Sequence, residues 1–76
     1  MREVGTVVLW MDSKGLGQIR AENGDIVFFT NLDITGTVSA GQRVEFTRTR
    51  TTGLTRARDV VVLDSSGKPA VKLSNE

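Results

Sequence analysis

Lys14-Gly15-Leu16-Gly17-Gln18-Ile19-Arg20-Ala21-Glu22-Asn23-Gly24-Asp25-Ile26-Val27-Phe28-Phe29 carries the clearest local structural signal in the chain. Asn23-Gly24 stands between two runs of extended character, and both residues tolerate the positive φ that a type I′ turn demands, so the segment reads as a β-hairpin. With those two as the loop, Glu22 faces Asp25, Ala21 faces Ile26, Arg20 faces Val27, Ile19 faces Phe28 and Gln18 faces Phe29. Side chains alternate along a strand, which places Ile19, Ala21, Ile26 and Phe28 on one face and Leu16, Gln18, Arg20, Val27 and Phe29 on the other. The first set is an expected core face. The second mixes apolar, amide and cationic groups and suits contact with something flat and charged. Gly15 and Gly17, in or beside the strand, mark a bulge or a close approach by a backbone or a ligand.

With 76 residues, the chain is expected to form one small domain near the lower limit at which a single core suffices. It has no cysteine and no histidine, which excludes disulfides, thiolate zinc sites and the commonest general base. Ten basic and nine acidic residues leave a net charge of +1, so any signal for a polyanionic partner has to come from local arrangement. Met1-Arg2-Glu3-Val4 carries no long apolar run or small-residue cleavage pattern, and no secretion signal is expected. No stretch approaches the roughly 20 apolar residues that span a bilayer. A soluble, cytoplasmic protein is the expectation. Eight glycines, one proline and many valines and threonines point to short strands joined by turns, an all-β chain.

The first strand is expected over 3–11, rich in Val4, Thr6, Val7, Val8 and Leu9, and Asp12-Ser13 turns the chain. Two registers are open for this hairpin. A two-residue loop sets Trp10 opposite Gly15; a three-residue loop sets Trp10 opposite Leu16 and on the face of Leu16, Gln18 and Phe29. After Phe29, Thr30 to Ile34 suits a single helical turn begun by Thr30 or Asn31, followed by a loop over 35–40. A fourth strand is expected over 43–51, with Val44 and Phe46 inward, and a fifth over 55–63. Pairing Phe46 with Val60 and Val44 with Val62 needs a three-residue loop of Thr52, Gly53 and Leu54. It also pairs Arg48 with Arg58 and Arg50 with Arg56, four arginines on one face, which repel unless an anion or a carboxylate such as Asp59 sits near. A bulge or a two-residue loop is the alternative and sends the pairs to opposite faces. The barrel is assigned to 1–63 and a tail to 64–76. Five strands with the longest connection after the third fit a small antiparallel Greek-key barrel of the oligonucleotide-binding (OB) type, and its closed edges favour a monomer.

These residues resemble the cold-shock domain. Gly5-Thr6-Val7-Val8-Leu9-Trp10-Met11 is similar to that family's Gly-Thr-Val-Lys-Trp-Phe start. Lys14 to Ile19 resembles its first ribonucleoprotein motif, Lys-Gly-Phe-Gly-Phe-Ile, and Asp25 to Thr30 its second, Asp-Val-Phe-Val-His-Phe. Gly41-Gln42-Arg43-Val44-Glu45-Phe46 is similar to Gly-Gln-x-Val-x-Phe, and Ala57-Arg58-Asp59-Val60 to Ala-x-Asn-Val. The resemblance spans residues 5–63 and implies a five-stranded cold-shock-like OB barrel that stacks unpaired bases on surface aromatics and holds phosphates with basic residues. This chain departs from the pattern. The two aromatics of the first motif stand here as Leu16 and Gln18; the Phe, His and last Phe of the second are Val27, Phe29 and Thr30. Leu9 and Met11 flank Trp10, where the family has Lys and Phe, and Asp12 replaces its usual Asn.

The expected function is single-stranded nucleic-acid binding, RNA before DNA, through Trp10, Lys14, Leu16, Gln18 and Phe29, with Arg48, Arg50, Arg56 and Arg58 in support. Capture of unpaired strands would destabilise RNA secondary structure, as an RNA chaperone or regulator of gene expression does. The alternative is a protein-interaction adaptor presenting Leu9, Met11, Leu16, Val27 and Phe29. No cofactor or metal is expected. Lys14-Gly15 lacks the spacing of a P-loop, and scattered carboxylates without histidine or cysteine make no catalytic set, so an enzyme is not expected.

Overall fold

The computed structural model describes residues 2–51, 53–64 and 67; most of the segment assigned above as a tail lies outside them. Five strands, β1 (Arg2–Met11), β2 (Leu16–Ala21), β3 (Ile26–Thr30), β4 (Arg43–Thr51) and β5 (Leu54–Val62), close into a barrel in the order β1-β2-β3-β5-β4. A one-turn 3₁₀ helix, Asn31–Asp33, follows β3 and is capped by Thr30. The molecule is all-β and OB-fold-like. All neighbours are antiparallel except β3 and β5, which meet in parallel at Phe28 and Arg56. Among the described residues no helix is long and apolar enough to cross a membrane.

The core is Val7, Ile19, Ala21, Val27, Phe29, Val38, Val44, Phe46, Ala57 and Val60, with Trp10, Ile34 and Val62 packed against it. Most come from alternate strand positions, as a half-buried pleated sheet requires. The two ends of the barrel close differently. At one, Trp10 stacks on Phe29 with ring centroids 5.4 Å apart and planes 11° from parallel. At the other, Arg48 makes a two-pronged ion pair with Glu3, at 2.8 Å on both prongs, and reaches Asp25 at 2.9 Å.

Register is where the molecule departs from the expectation in the first two hairpins, while in the third Val44 pairs with Val62 as expected and the alternative reading of the arginines holds. Asn23-Gly24 does not form a type I′ turn, which would need positive φ at both residues. Only Gly24 has it (φ 95°). Ala21 N–H donates to Asp25 O (2.8 Å) and Gly24 N–H to Ala21 O (2.9 Å), so the loop is Glu22, Asn23 and Gly24, a turn ending in a glycine bulge. Asn23 Oδ1 accepts from the Asp25 N–H at 3.0 Å, an Asx turn that satisfies the donor left over. The one-residue difference flips β3. Ile19 faces Val27, Gln18 faces Phe28 and Gly17 faces Phe29, so Val27 and Phe29 are buried while Ile26 and Phe28 point outward.

The first hairpin takes neither open register. Met11 pairs with Leu16 across a four-residue turn, Trp10 with Gly17 and Leu9 with Gln18, and Val8 is an extra residue bulged out of β1. In β4 and β5 both devices of the alternative reading occur: Thr51 pairs with Leu54, and Asp59 and Val60 together oppose Phe46. Asp59 adopts φ 52° there, the one non-glycine residue described with positive φ. The expected Arg48–Arg58 and Arg50–Arg56 pairs are therefore corrected. Arg48 lies opposite Ala57 and Arg50 opposite Thr55, whereas Arg56 and Arg58 lie opposite Thr49 and Thr47 on the other face. This separation removes the repulsion that four facing cations would suffer.

Candidate functional site

The outward side of β1, β2, β3 and β5 carries three rows of side chains. Thr6, Arg20 and Ile26 form one; Leu9, Gln18, Phe28 and Arg56 the next; Met11, Leu16 and Thr30 the third. Phe28, 47% exposed, is at the centre, and Leu9, Met11, Leu16 and Ile26 are exposed around it. Leu54, two positions before Arg56, extends the apolar area onto β5. Exposed large apolar side chains gathered on one sheet face mark a contact surface, whereas scattered ones do not.

Electrostatics give the surface a sign. Neither β2, nor β3, nor residues 54–58 of β5 contain an acidic residue. Among the described residues Lys14, Arg20 and Arg58 take part in no salt bridge. Arg56 differs. It lies on this surface beside Phe28, but its Nε donates to Oδ2 of the buried Asp33 at 3.0 Å and its Nη2 to Oδ1 at 3.2 Å. Lys14 sits in the turn between β1 and β2, on a cleft shared with Trp10, Asn31, Ile34 and Thr37.

Several residues expected at the site are elsewhere. Phe29 is 1% exposed and belongs to the core; it cannot stack a base, and Phe28 holds the outward position instead. Val27 is buried with it, which removes both from the surface expected of an adaptor. Trp10 shares a face with Phe29 and not with Leu16 or Gln18, because its cross-strand partner is Gly17. A Cβ on Gly17 would lie 2.6 Å from Phe29 Cζ and 2.8 Å from Leu9 O, so the missing side chain is what lets the two aromatics meet. Trp10 is half-buried, and its indole N–H donates to Asp12 Oδ1 at 3.4 Å.

Arg48 and Arg50 also lie apart from the surface. Arg48 is held by Glu3 and Asp25 at the far end of the barrel, where hydrogen bonds to Glu3 first and Asp25 second raise its pKa. The Arg48 hydrogen bond, with help from Asn23, holds the Asp25 carboxyl below its ordinary value, and Arg50 adds a smaller Coulombic pull in the same direction. Lys14, Leu16, Gln18, Arg56 and Arg58 do lie on or beside the candidate surface. No protein-family model matches this chain, and neither does any curated protein. Among the described residues no group of three or more His, Cys, Asp or Glu side chains is placed to hold a metal ion.

Phe28 and Ile26, expected on the core face, are central members of the surface, whereas Arg20 lies on the outward face expected for it. Gly17 was the available signal. A glycine opposite an aromatic leaves room for a ring to lie across it, which favours pairing Gly17 with Phe29 over pairing Gln18 with it.

Proposed function

We propose that this protein binds single-stranded nucleic acid, RNA before DNA, across the outward side of β1, β2, β3 and β5. One observation carries the reading: Phe28 stands half-exposed where β2, β3 and residues 54–58 of β5 hold no acidic residue, with Lys14, Arg20 and Arg58 around it in no salt bridge among the described residues. An aromatic face stacks any base, and surrounding cations hold the phosphates. Gln18, able to donate and accept, lies in the row of Phe28 and suits the ribose 2′-hydroxyl, the group that separates RNA from DNA. A binder of open strands pulls folded RNA toward the unpaired form by mass action, a chaperone-like or regulatory role that we place in the cytoplasm.

The test is fluorescence anisotropy of labelled oligo-U and oligo-dT over a range of salt. If Lys14, Arg20 and Arg58 each hold one phosphate, log K should fall against log salt with a slope of roughly −2. Absence of binding by the folded protein at low salt would refute the proposal.

A second reading has its own observation. Of the exposed large apolar residues, Leu9, Met11, Leu16 and Ile26 share the face with Phe28 and none of the four is aromatic. Such a surface also fits an apolar protein partner, in an adaptor role. Its binding would be nearly independent of salt.

A further inference from the structure

We infer that Arg56, locked by the buried Asp33, is a second stacking platform for an unpaired base next to the one on Phe28, and does not act as a phosphate contact. This rests on the nucleic-acid reading above and deepens it.

Asp33 is the only buried charged residue among those described, its side chain 5% exposed against 41% for Arg56. Its Oδ2 accepts from Thr30 N–H (2.8 Å), Thr30 Oγ1–H (3.2 Å) and Arg56 Nε–H (3.0 Å), and its Oδ1 from Arg56 Nη2–H (3.2 Å). The remaining Nη2 proton is directed to Thr30 Oγ1 at 3.4 Å. The Nε–Nη2 edge, one fork by which arginine clamps a phosphate through two parallel bonds, is therefore occupied from within. The carboxylate also cancels most of the charge. What is left for a ligand is the flat face of the guanidinium and the Nη1 group, which has no partner among the described residues.

Guanidinium planes stack on bases as aromatic rings do, and this plane is held at two atoms, so little side-chain freedom is lost on binding. Position follows from the register. Arg56 pairs with Phe28 across β3 and β5, and its guanidinium is anchored at Thr30, two residues along the same face. Two residues of strand span about 7 Å. That is twice the ~3.4 Å rise between stacked neighbours in a duplex, so two adjacent bases fit only when splayed apart. Unpaired strands meet that condition and duplexes do not.

The experiment is anisotropy with fluorescein-labelled oligo-U of about eight nucleotides, within the site sizes OB folds cover, at a series of salt concentrations. Wild type is compared with Arg56→Lys, Arg58→Gln, Phe28→Ala and Asp33→Asn, each checked for folding by circular dichroism. Arg56→Lys keeps the charge and loses the plane; it should weaken binding roughly 5- to 150-fold with the salt slope unchanged. Arg58→Gln should lower the slope by about 0.7. Asp33→Asn should free the Arg56 charge and steepen the slope by about the same amount, a change that loss of structure does not produce. If Asp33→Asn does not fold, Arg56→Lys still decides. Wild-type binding that Phe28→Ala weakens and Arg56→Lys does not would overturn the second platform alone. No binding by folded wild type would remove the nucleic-acid reading and this inference together.

Discussion

Phe28 and Phe29 are neighbours in sequence and opposites in environment, and exchanging each for alanine separates stability from binding. Phe29 is 1% exposed and in contact with Trp10 at a centroid distance of 5.4 Å. Removing a fully buried phenylalanine costs about 3–5 kcal/mol, and losing the aromatic pair adds about 0.5–1.5 kcal/mol. A domain of 76 residues holds about 4–11 kcal/mol in all, so Phe29→Ala should lose about a third of it or more and unfold at a far lower urea concentration. Phe28 is 47% exposed. About half of a phenylalanine's surface, ~100 Å², is buried there, an upper bound near 2.5 kcal/mol that shrinks once the retained Cβ and a compact unfolded chain are counted. Phe28→Ala should cost about 1–2 kcal/mol of stability and remain folded. Its binding to oligo-U should fall by about 1–3 kcal/mol, or 5- to 150-fold. Urea unfolding followed by Trp10 fluorescence reads the first quantity and oligonucleotide anisotropy the second. If Phe29→Ala is the well-folded, binding-deficient variant and Phe28→Ala the unfolded one, the β2–β3 register is wrong and the site with it.

Gly17→Ala should destabilise by about 1–3 kcal/mol, because the added methyl meets the Phe29 ring and the Leu9 carbonyl at under 3 Å; a lower urea midpoint with a shifted Trp10 emission would confirm it. Asp59→Gly relieves a left-handed backbone (φ 52°) at the β5 bulge, and should leave the melting temperature unchanged or raise it, the gain limited to about 1 kcal/mol by glycine's unfolded-state entropy. Asp25 has a lower pKa folded than unfolded, so its contribution is complete above the unfolded value of about 3.9 and is lost as pH falls through the folded one. Urea midpoints across pH 2–7 (about the span that brackets that titration) should therefore fall less for Arg48→Met than for wild type.

The strands were legible because β-branched and aromatic residues cluster between Asp12-Ser13, Asn23-Gly24, Gly41 and Gly53, and the helical turn because Thr30 and Asp33 have the spacing of a reciprocal cap. Register was not legible, and Ile26-Val27-Phe28-Phe29 shows why. Either parity puts one aliphatic and one phenylalanine inside, so alternation cannot choose. Asn23-Gly24 is equally silent, since it serves a two-residue turn or the end of a three-residue one. The choice is made at a distance, by Trp10 needing a ring to lie on and Gly17 leaving the space. The arginines of β4 and β5 were misplaced for a related reason. Val44, Phe46, Val60 and Val62 match without a bulge, and nothing in their pattern reveals that Asp59 takes a left-handed conformation.

That distant choice also sets the strength of the surface. Of the four aromatics in the chain, Trp10, Phe29 and Phe46 are spent on the interior, and Phe28 alone is left outside. If the surface binds single strands as proposed, stacking at about 1–3 kcal/mol per base supplies about 2–6 kcal/mol from Phe28 and Arg56 together. A millimolar complex needs about 4 kcal/mol and a micromolar one about 8. Phosphate contacts by Lys14, Arg20 and Arg58 therefore have to carry much of the remainder, and they weaken as salt rises. On the proposed function, a surface balanced in this way would capture strands that are already open, with docking that is broad and sequence-tolerant. Loss of either platform would lower affinity at every salt concentration without changing the salt slope, which the phosphate contacts alone set. On the same proposal the buried Asp33 would matter to function: it holds the Arg56 guanidinium as a fixed plane, in a barrel whose other aromatics are committed to its core.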